Sequence, residues 1–280
     1  ILTIKGKGME NYSVLMSVYC KEHPEYLKQS MESIYNQTVP TNDFVLVCDG
    51  PLGNDLNEII EEMKMKFGYV LNVLQLDKNI GLGGALQAGL KICKNDLVAR
   101  MDSDDIARID RCSRELEAFS ENENLSIVSG TIEEFVHDPK KTYARRVLPE
   151  KHKEIVEFAK FRCPFNHPCV MFRKSSVEAA GGYLPFYHVE DYYLWIRMLL
   201  NGCIGMNIQE PLLWMRAGNN MYKRRSGWKY IKSQIALFRF MKEKKFITNS
   251  QYIKNSLIRC GSSIAPNKIR KLFYKKILRE

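Results

Sequence analysis

Apolar positions in this chain follow two periods, and the period switches repeatedly along the first half. Residues 13–18 form a short apolar run, the pattern of a buried strand. Over 24–35, Tyr26, Leu27, Met31 and Ile34 recur at helical spacing, with Pro24 near the first turn, where proline is tolerated. Residues 44–48 read as a continuous buried strand that ends at Asp49-Gly50-Pro51, a turn cluster. Leu56, Ile59, Ile60 and Met63 then mark one face of a helix over 55–66. The alternation continues with a strand at 69–76, a helix at 81–93, a strand at 97–101, a helix at 110–119 and a strand at 125–130. Near-continuous apolar strands separated by helices predict an α/β fold with a mostly parallel sheet covered on both faces.

The second half is less regular. Short strands are expected at 132–135 and 142–147, and a loop leading into a strand at 166–172. Helices are expected at 175–180, stopped by Gly181-Gly182, and at 190–201. Neither an internal repeat nor a low-complexity linker appears.

Ligands of open parallel sheets bind at the carboxyl ends of the strands. Here those ends carry Ser17-Val18-Tyr19, Asp49-Gly50, Asp77 with Asn79, and Asp102-Ser103-Asp104-Asp105. Residues i and i+2 of an extended segment share a face, so Asp102 and Asp104 point the same way. Close carboxylates repel unless a cation sits between them, and their hard oxygens suit Mn²⁺ or Mg²⁺. The competing explanation is a set of N-cap residues for the next helix. The glycines of Asn79-Ile80-Gly81-Leu82-Gly83-Gly84 permit close approach of backbone to an anion, or simply helix entry. Glu190-Asp191 either complements a helix dipole or supplies a carboxylate base in an apolar pocket, beside Tyr183, Tyr187, Tyr192, Tyr193 and Trp195. His167 fits a structural role or a ligand contact. Arg216 fits either a phosphate or an acidic partner.

Composition is that of an ordinary globular protein, 45% apolar and 26% charged. No run approaches the length of a membrane span. The eight cysteines have no zinc spacing and read as free buried thiols in a reducing compartment. Residues 1–12 do not read as a secretory signal, and Met9 is a candidate start after a leader over 1–8.

Charge changes the picture more. Residues 221–280 hold 17 Lys and Arg against Glu243 and Glu280, a net +15, whereas 1–220 hold 25 bases against 30 acids, a net −5. A mildly acidic body over 12–220 thus carries a basic helical extension over 221–280. Trp228, Ile231, Ile235, Phe238 and Met241 recur at helical spacing in it. Ile269, Leu272, Phe273 and Ile277, ringed by bases, predict a second, amphipathic helix suited to an anionic membrane surface or to packing on the body. Nucleic acid is not expected as a partner, since no recognition motif accompanies the charge.

Taken in order, nine segments resemble the family 2 glycosyltransferases of GT-A fold. They are Ser13-Val-Leu-Met-Ser-Val-Tyr19, Ser33-Ile-Tyr-Asn-Gln-Thr38, Val47-Cys-Asp-Gly-Pro51, Asn79-Ile-Gly-Leu-Gly-Gly-Ala-Leu86, Ala99-Arg-Met-Asp-Ser-Asp-Asp-Ile106, Arg111, Asn166-His-Pro168, Gly181-Gly-Tyr183 and Glu190-Asp-Tyr-Tyr-Leu-Trp195. The variant is most similar to bacterial enzymes that build capsule or O-antigen repeat units.

The resemblance implies an inverting transfer from a UDP-sugar to a lipid-linked saccharide at the inner face of the cytoplasmic membrane. It places the nucleotide against Ser17, Val18, Tyr19, Asp49, Asn79, Gly83, Arg100 and Asp102. Asp105, Arg111, His167 and Arg216 would border the donor sugar, and Asp104 with Asp102 would hold the metal. Asp191 would be the base, with Glu190 second. One departure stands out: Cys48 occupies the place where many members have a first acid, which leaves Asp49 alone there. A sugar-nucleotide nucleotidyltransferase is the rival, but it would carry glycines after strand one, where this chain has Tyr19-Cys20-Lys21-Glu22-His23-Pro24. A non-catalytic basic module would leave the ordered motifs unexplained.

Overall fold

The computed structural model describes residues 10–217 and 227–264. The expected leader, the boundary near 220 and the helix over 269–277 lie outside the described residues.

The central strands are β1 (Tyr12–Val18), β2 (Asp43–Cys48), β3 (Leu71–Gln75) and β4 (Leu97–Asp102). They pair in parallel in the order β3-β2-β1-β4. Their two-residue period sorts side chains onto two faces. Val14, Met16, Phe44, Leu46, Ala99 and Met101 enter one core with α1 (Pro24–Tyr35), α2 (Asn54–Phe67) and α4 (Arg111–Glu121). Leu15, Val45, Val47 and Val98 enter the other with α3 (Leu82–Ile92), α5 (His152–Ala159), α6 (Lys174–Ala179) and α7 (Glu190–Leu200). Helix α3 lies very close to the sheet. A Cβ on Gly89 would stand 2.5 Å from both Leu15 Cδ1 and Val47 Cγ2, so only glycine fits there.

Beyond β4 the pairing changes. β8 (Val170–Arg173) runs antiparallel to β4, and β6 (Leu125–Phe135) antiparallel to β8. β9 (Ile204–Arg216) then runs parallel to β6, with short β5 (Ile106–Ala107) on its far side and β7 (Ala144–Arg146) pairing β6. The sheet is therefore mixed: the parallel expectation describes its first four strands. Two expected strands, at 125–130 and 132–135, are one strand, bulged at Gly130/Thr131. The strand expected at 69–76 is shorter, because a 3-10 turn over Gly68–Val70 precedes it.

The basic extension begins with α8 (Trp228–Glu243) and α9 (Asn249–Ile264). Tyr230, Leu237, Phe238 and Met241 of α8 pack with Ala159, Val189, Tyr192 and Ile196 of the body, so this part of the extension is docked on the α5–α7 side. Among the described residues no helix is long and apolar enough to cross a membrane. All eight cysteines are free thiols.

Candidate active site

Parallel register brings the strand ends level. Ser17 of β1 stands opposite Val47 on one side and Asp102 on the other. Tyr19, just past β1, is exposed, whereas the Val18 side chain belongs to the core, which leaves only its backbone for a ligand.

Asp49 does something the sequence did not disclose. It is buried, and its two carboxylate oxygens accept N–H groups from Ile80 at 2.7 Å and Gly81 at 3.0 Å. Asn79 donates its side-chain amide to the Asp49 carbonyl at 3.1 Å. Asp49 and Asn79, expected on the nucleotide, thus clamp the glycine loop to the end of β2. The loop then enters α3 at a fixed angle, although nothing between residues 49 and 80 signals the pairing.

At the end of β4, one carboxylate oxygen from each of Asp102, Asp104 and Asp105 lies within 4.8 Å of the others. Asp102 pairs with Arg100, and its carbonyl accepts the Ser30 hydroxyl at 2.9 Å. Asp105 is buried. Its Oδ1 accepts the Arg216 N–H at 2.8 Å, and its Oδ2 has no hydrogen-bond partner among the described residues. Burial, and then the charges of Asp104 and Asp102, hold its pKa well above the usual carboxylate range. A buried unpaired acceptor among three hard oxygen donors fits a divalent cation of the Mn²⁺ or Mg²⁺ class.

Arg216 reaches this cluster because β9 runs its full length to deliver it. Nε donates to the Asp104 carbonyl at 3.0 Å and Nη2 to Gln29 Oε1 at 2.8 Å, while the guanidinium stacks 3.8 Å from the Tyr26 ring centroid.

Arg100 is 1% exposed and spends one nitrogen on Asp102; its Nε and Nη1 have no partner among the described residues. Such buried donors cost free energy unless a ligand meets them. The charge of the same guanidinium is felt by His167, Tyr183 and Glu190. His167 is buried with Nε2 3.0 Å from the Tyr183 hydroxyl, and burial holds its pKa well below the ordinary value. Its neutral ring, expected near the donor sugar, is tied through Nε2 to Tyr183.

Arg111, expected to border the donor sugar, lies inside the body. It is fully buried, paired with Glu115 at 3.2 Å, and donates to the carbonyls of Arg100 at 2.8 Å, Pro168 at 3.2 Å and Val170 at 3.3 Å. It braces the backbone of β4 and of the start of β8.

Glu190 and Asp191 open α7. Gly83 lies against Glu190: a Cβ there would stand 3.5 Å from Glu190 Cβ, which brings the starts of α3 and α7 together. Burial, and next the Asp191 charge, push Glu190 up to about 7. Asp191 Oδ2 accepts the Cys163 thiol at 3.6 Å. Cys163 had no sequence signal beyond that of a lone apolar thiol.

Residues 13–181 match glycosyl transferase family 2. The Escherichia coli protein named UDP-Gal:alpha-D-GlcNAc-diphosphoundecaprenol beta-1,3-galactosyltransferase is 37% identical over 270 residues, covering 96% of each chain. The amylovoran biosynthesis glycosyltransferase AmsE of Erwinia amylovora is 37% identical over 268 residues, 95% of this chain and 98% of its own. Among solved structures, S. aureus TarS 1–349 in complex with UDP-GlcNAc superposes with a TM-score of 0.69 at 17% identity, over 95% of this chain and 76% of that one. The Pyrobaculum calidifontis mannosyltransferase PcManGT, in complex with GDP-Man and Mn²⁺, gives 0.65 at 12% identity, over 96% and 82%. At these identities the likeness is one of fold, the GT-A arrangement.

Proposed function

Because the chain belongs to glycosyl transferase family 2 and is a glycosyltransferase, we propose that it moves a hexose from a UDP-sugar to a hydroxyl of a lipid-linked saccharide, with inversion, in surface polysaccharide biosynthesis. The observation that carries this reading is the pairing of opposite needs at one point. Arg100 holds two unpaired buried donors beside a carboxylate cluster with an unpaired acceptor. A diphosphate with its divalent cation satisfies both.

In this reading Asp102 and Asp104, with Asp105 behind them, hold Mn²⁺ or Mg²⁺, which when bound stabilises charge on the leaving diphosphate. Arg100 donates to the donor's anionic oxygens. Tyr19 and Ser17 border the nucleotide, and Arg216 keeps the acidic turn in place. Asp191 takes the proton from the acceptor hydroxyl. That oxygen attacks the anomeric carbon from the face opposite the diphosphate; the C–O bond to the diphosphate breaks as the new one forms, and configuration inverts. Glu190 is a second reading for the base, favoured by its pKa of about 7, which matches the working pH of a proton acceptor.

The basic extension suits an acceptor anchored in anionic lipid. Ile253 and Leu257 of α9 are exposed one helical turn apart, and the bases of 268–279 follow. Peripheral attachment to the inner membrane face is expected to appear as flotation with anionic liposomes that is lost at high salt. Salt-insensitive flotation, or none, counts against it.

The central test is a donor screen with UDP-sugars, UDP-galactose first, with Mn²⁺ and a synthetic saccharide diphosphate acceptor, read by product mass. A hexose added only in the presence of the cation is the expected result. Nucleoside triphosphate consumption without glycosyl transfer would replace this reading with the nucleotidyltransferase.

A further inference from the structure

Beside the two α7 carboxylates lies a surface that the steps above do not use. The loop from Leu184 to Val189 is anchored at two points: Val189 is buried, and Phe186 packs on Tyr193 with ring centroids 4.6 Å apart. Between these anchors it turns Leu184 and Tyr187 outward, 39% and 40% exposed. His188 sits at φ 57°, a left-handed conformation that costs free energy in a residue other than glycine. Opposite, the start of α8 presents Trp228, 73% exposed, and Lys229, whose Nζ lies 4.1 Å from the Tyr187 ring centroid.

The surface is contiguous with the reacting groups. Tyr187 is three residues before Glu190, and the Leu184 carbonyl lies 3.8 Å from the Cβ position of Gly83 that also meets Glu190. The Tyr187 ring is held in place by His188, with ring centroids 4.1 Å apart, and by Lys229, yet the residue stays 40% exposed. A pre-set exposed ring beside an ammonium suits ligand contact: aromatic faces take the C–H face of a sugar, and an ammonium pairs with phosphate as a point charge.

We propose that Tyr187 and Lys229, flanked by Trp228, form the acceptor subsite, with a saccharide ring on Tyr187 and the diphosphate attached to it on Lys229. This assignment rests on the transferase reading above and adds to it the residues that grip the acceptor. All three side chains are on the surface, so their truncation leaves the fold intact.

The test uses the full chain with two soluble acceptors that carry the same sugar, one on an alkyl diphosphate and one on a plain alkyl chain. Tyr187→Ala is expected to raise the acceptor KM about tenfold for both. Lys229→Ala should raise it for the diphosphate acceptor alone, and Lys229→Arg should retain most of the affinity. Donor KM and UDP affinity stay within twofold throughout. Acceptor KM unchanged in both alanine variants, or donor KM raised in step with it, overturns the subsite while the transferase stands. Calorimetric binding of the diphosphate acceptor separates the two ideas: binding weakened by Tyr187→Ala and Lys229→Ala without any turnover in the parent chain keeps the subsite and sinks the transferase.

Discussion

At the strand ends Asp49 and Arg216 are each held by several hydrogen bonds, whereas the loop before α7 and the start of α8 turn Tyr187 and Trp228 to solvent. Asp105 is bonded by the backbone of Arg216, Arg216 is bonded by Gln29 and the Asp104 carbonyl, and Asp49 anchors the glycine loop. On the other side, Val189 and Phe186 anchor the loop in the apolar cluster shared with α8, while Tyr187, against His188 and Lys229, and Trp228 keep large exposed faces. The first arrangement suits a group common to many substrates, a diphosphate with its cation, which demands one geometry and rewards rigidity. The second suits a partner that varies, for which exposed rings and a flexible ammonium are cheap to change.

The sharpest way to break this contrast is at the carboxylates. Asp104→Asn is expected to lower transfer by about a hundredfold to a thousandfold, the scale of losing a Lewis-acid site worth several kcal/mol. The fold should survive, because the backbone carbonyl of Asp104, which Arg216 uses, is kept. Turnover within tenfold of the parent would show that the rigid side is not the donor side.

A middle-sized effect concerns the boundary between the two regions. Glu190 is raised to about 7, so the fold favours its neutral form. The stability it contributes is complete below its unfolded value, about 4.3, and is lost as pH rises through 7. Glu190→Gln should therefore be the more thermostable chain above pH 7 and equal to the parent near pH 4. If Glu190 is the base, kcat/KM of the parent rises with unit slope up to about pH 7 and that limb vanishes in Glu190→Gln. If Asp191 is the base, Asp191→Asn loses about a hundredfold or more in kcat with UDP affinity intact, and Glu190→Gln keeps most of its turnover.

The same contrast governs what could be read from the chain. Asp102, Asp104 and Asp105 were legible because an acidic cluster after a buried run has few structural explanations. The alternation of periods gave the first four strands and their helices. Strand β9 was not legible: Gln209-Glu210-Pro211 interrupts its apolar pattern, and its pairing with β6 joins residues about eighty apart in the chain. Helix α5 has only eight residues, too few for a periodic stripe. Arg111 shows a different limit of the sequence. A charged residue in a family-like segment suggests a ligand, whereas its guanidinium closes the backbone of β4 and β8 with Glu115 as its counter-ion. Only tertiary structure shows an arginine to be bracing backbone in this way.

The smallest expected effect tests whether the α7 carboxylates are held as firmly as the strand-end ones. Cys163 offers one thiol proton to two acceptors, Asp191 Oδ2 at 3.6 Å and the Phe165 carbonyl at 3.5 Å. Burial first, and then the Asp191 charge, push its pKa far up, so the sulfur stays protonated and remains a donor. Cys163→Ala removes that donor and leaves Asp191 freer to turn. Since a typical hydrogen bond contributes about 0.5–1.5 kcal/mol, kcat should fall roughly twofold to tenfold with UDP affinity unchanged. Cys163→Ser restores a hydroxyl donor in the same place and should recover most of the loss. A purely packing role predicts the opposite order, because serine buries a more polar group than alanine does; serine no better than alanine would thus assign Cys163 to the core and leave Asp191 held by its helix alone.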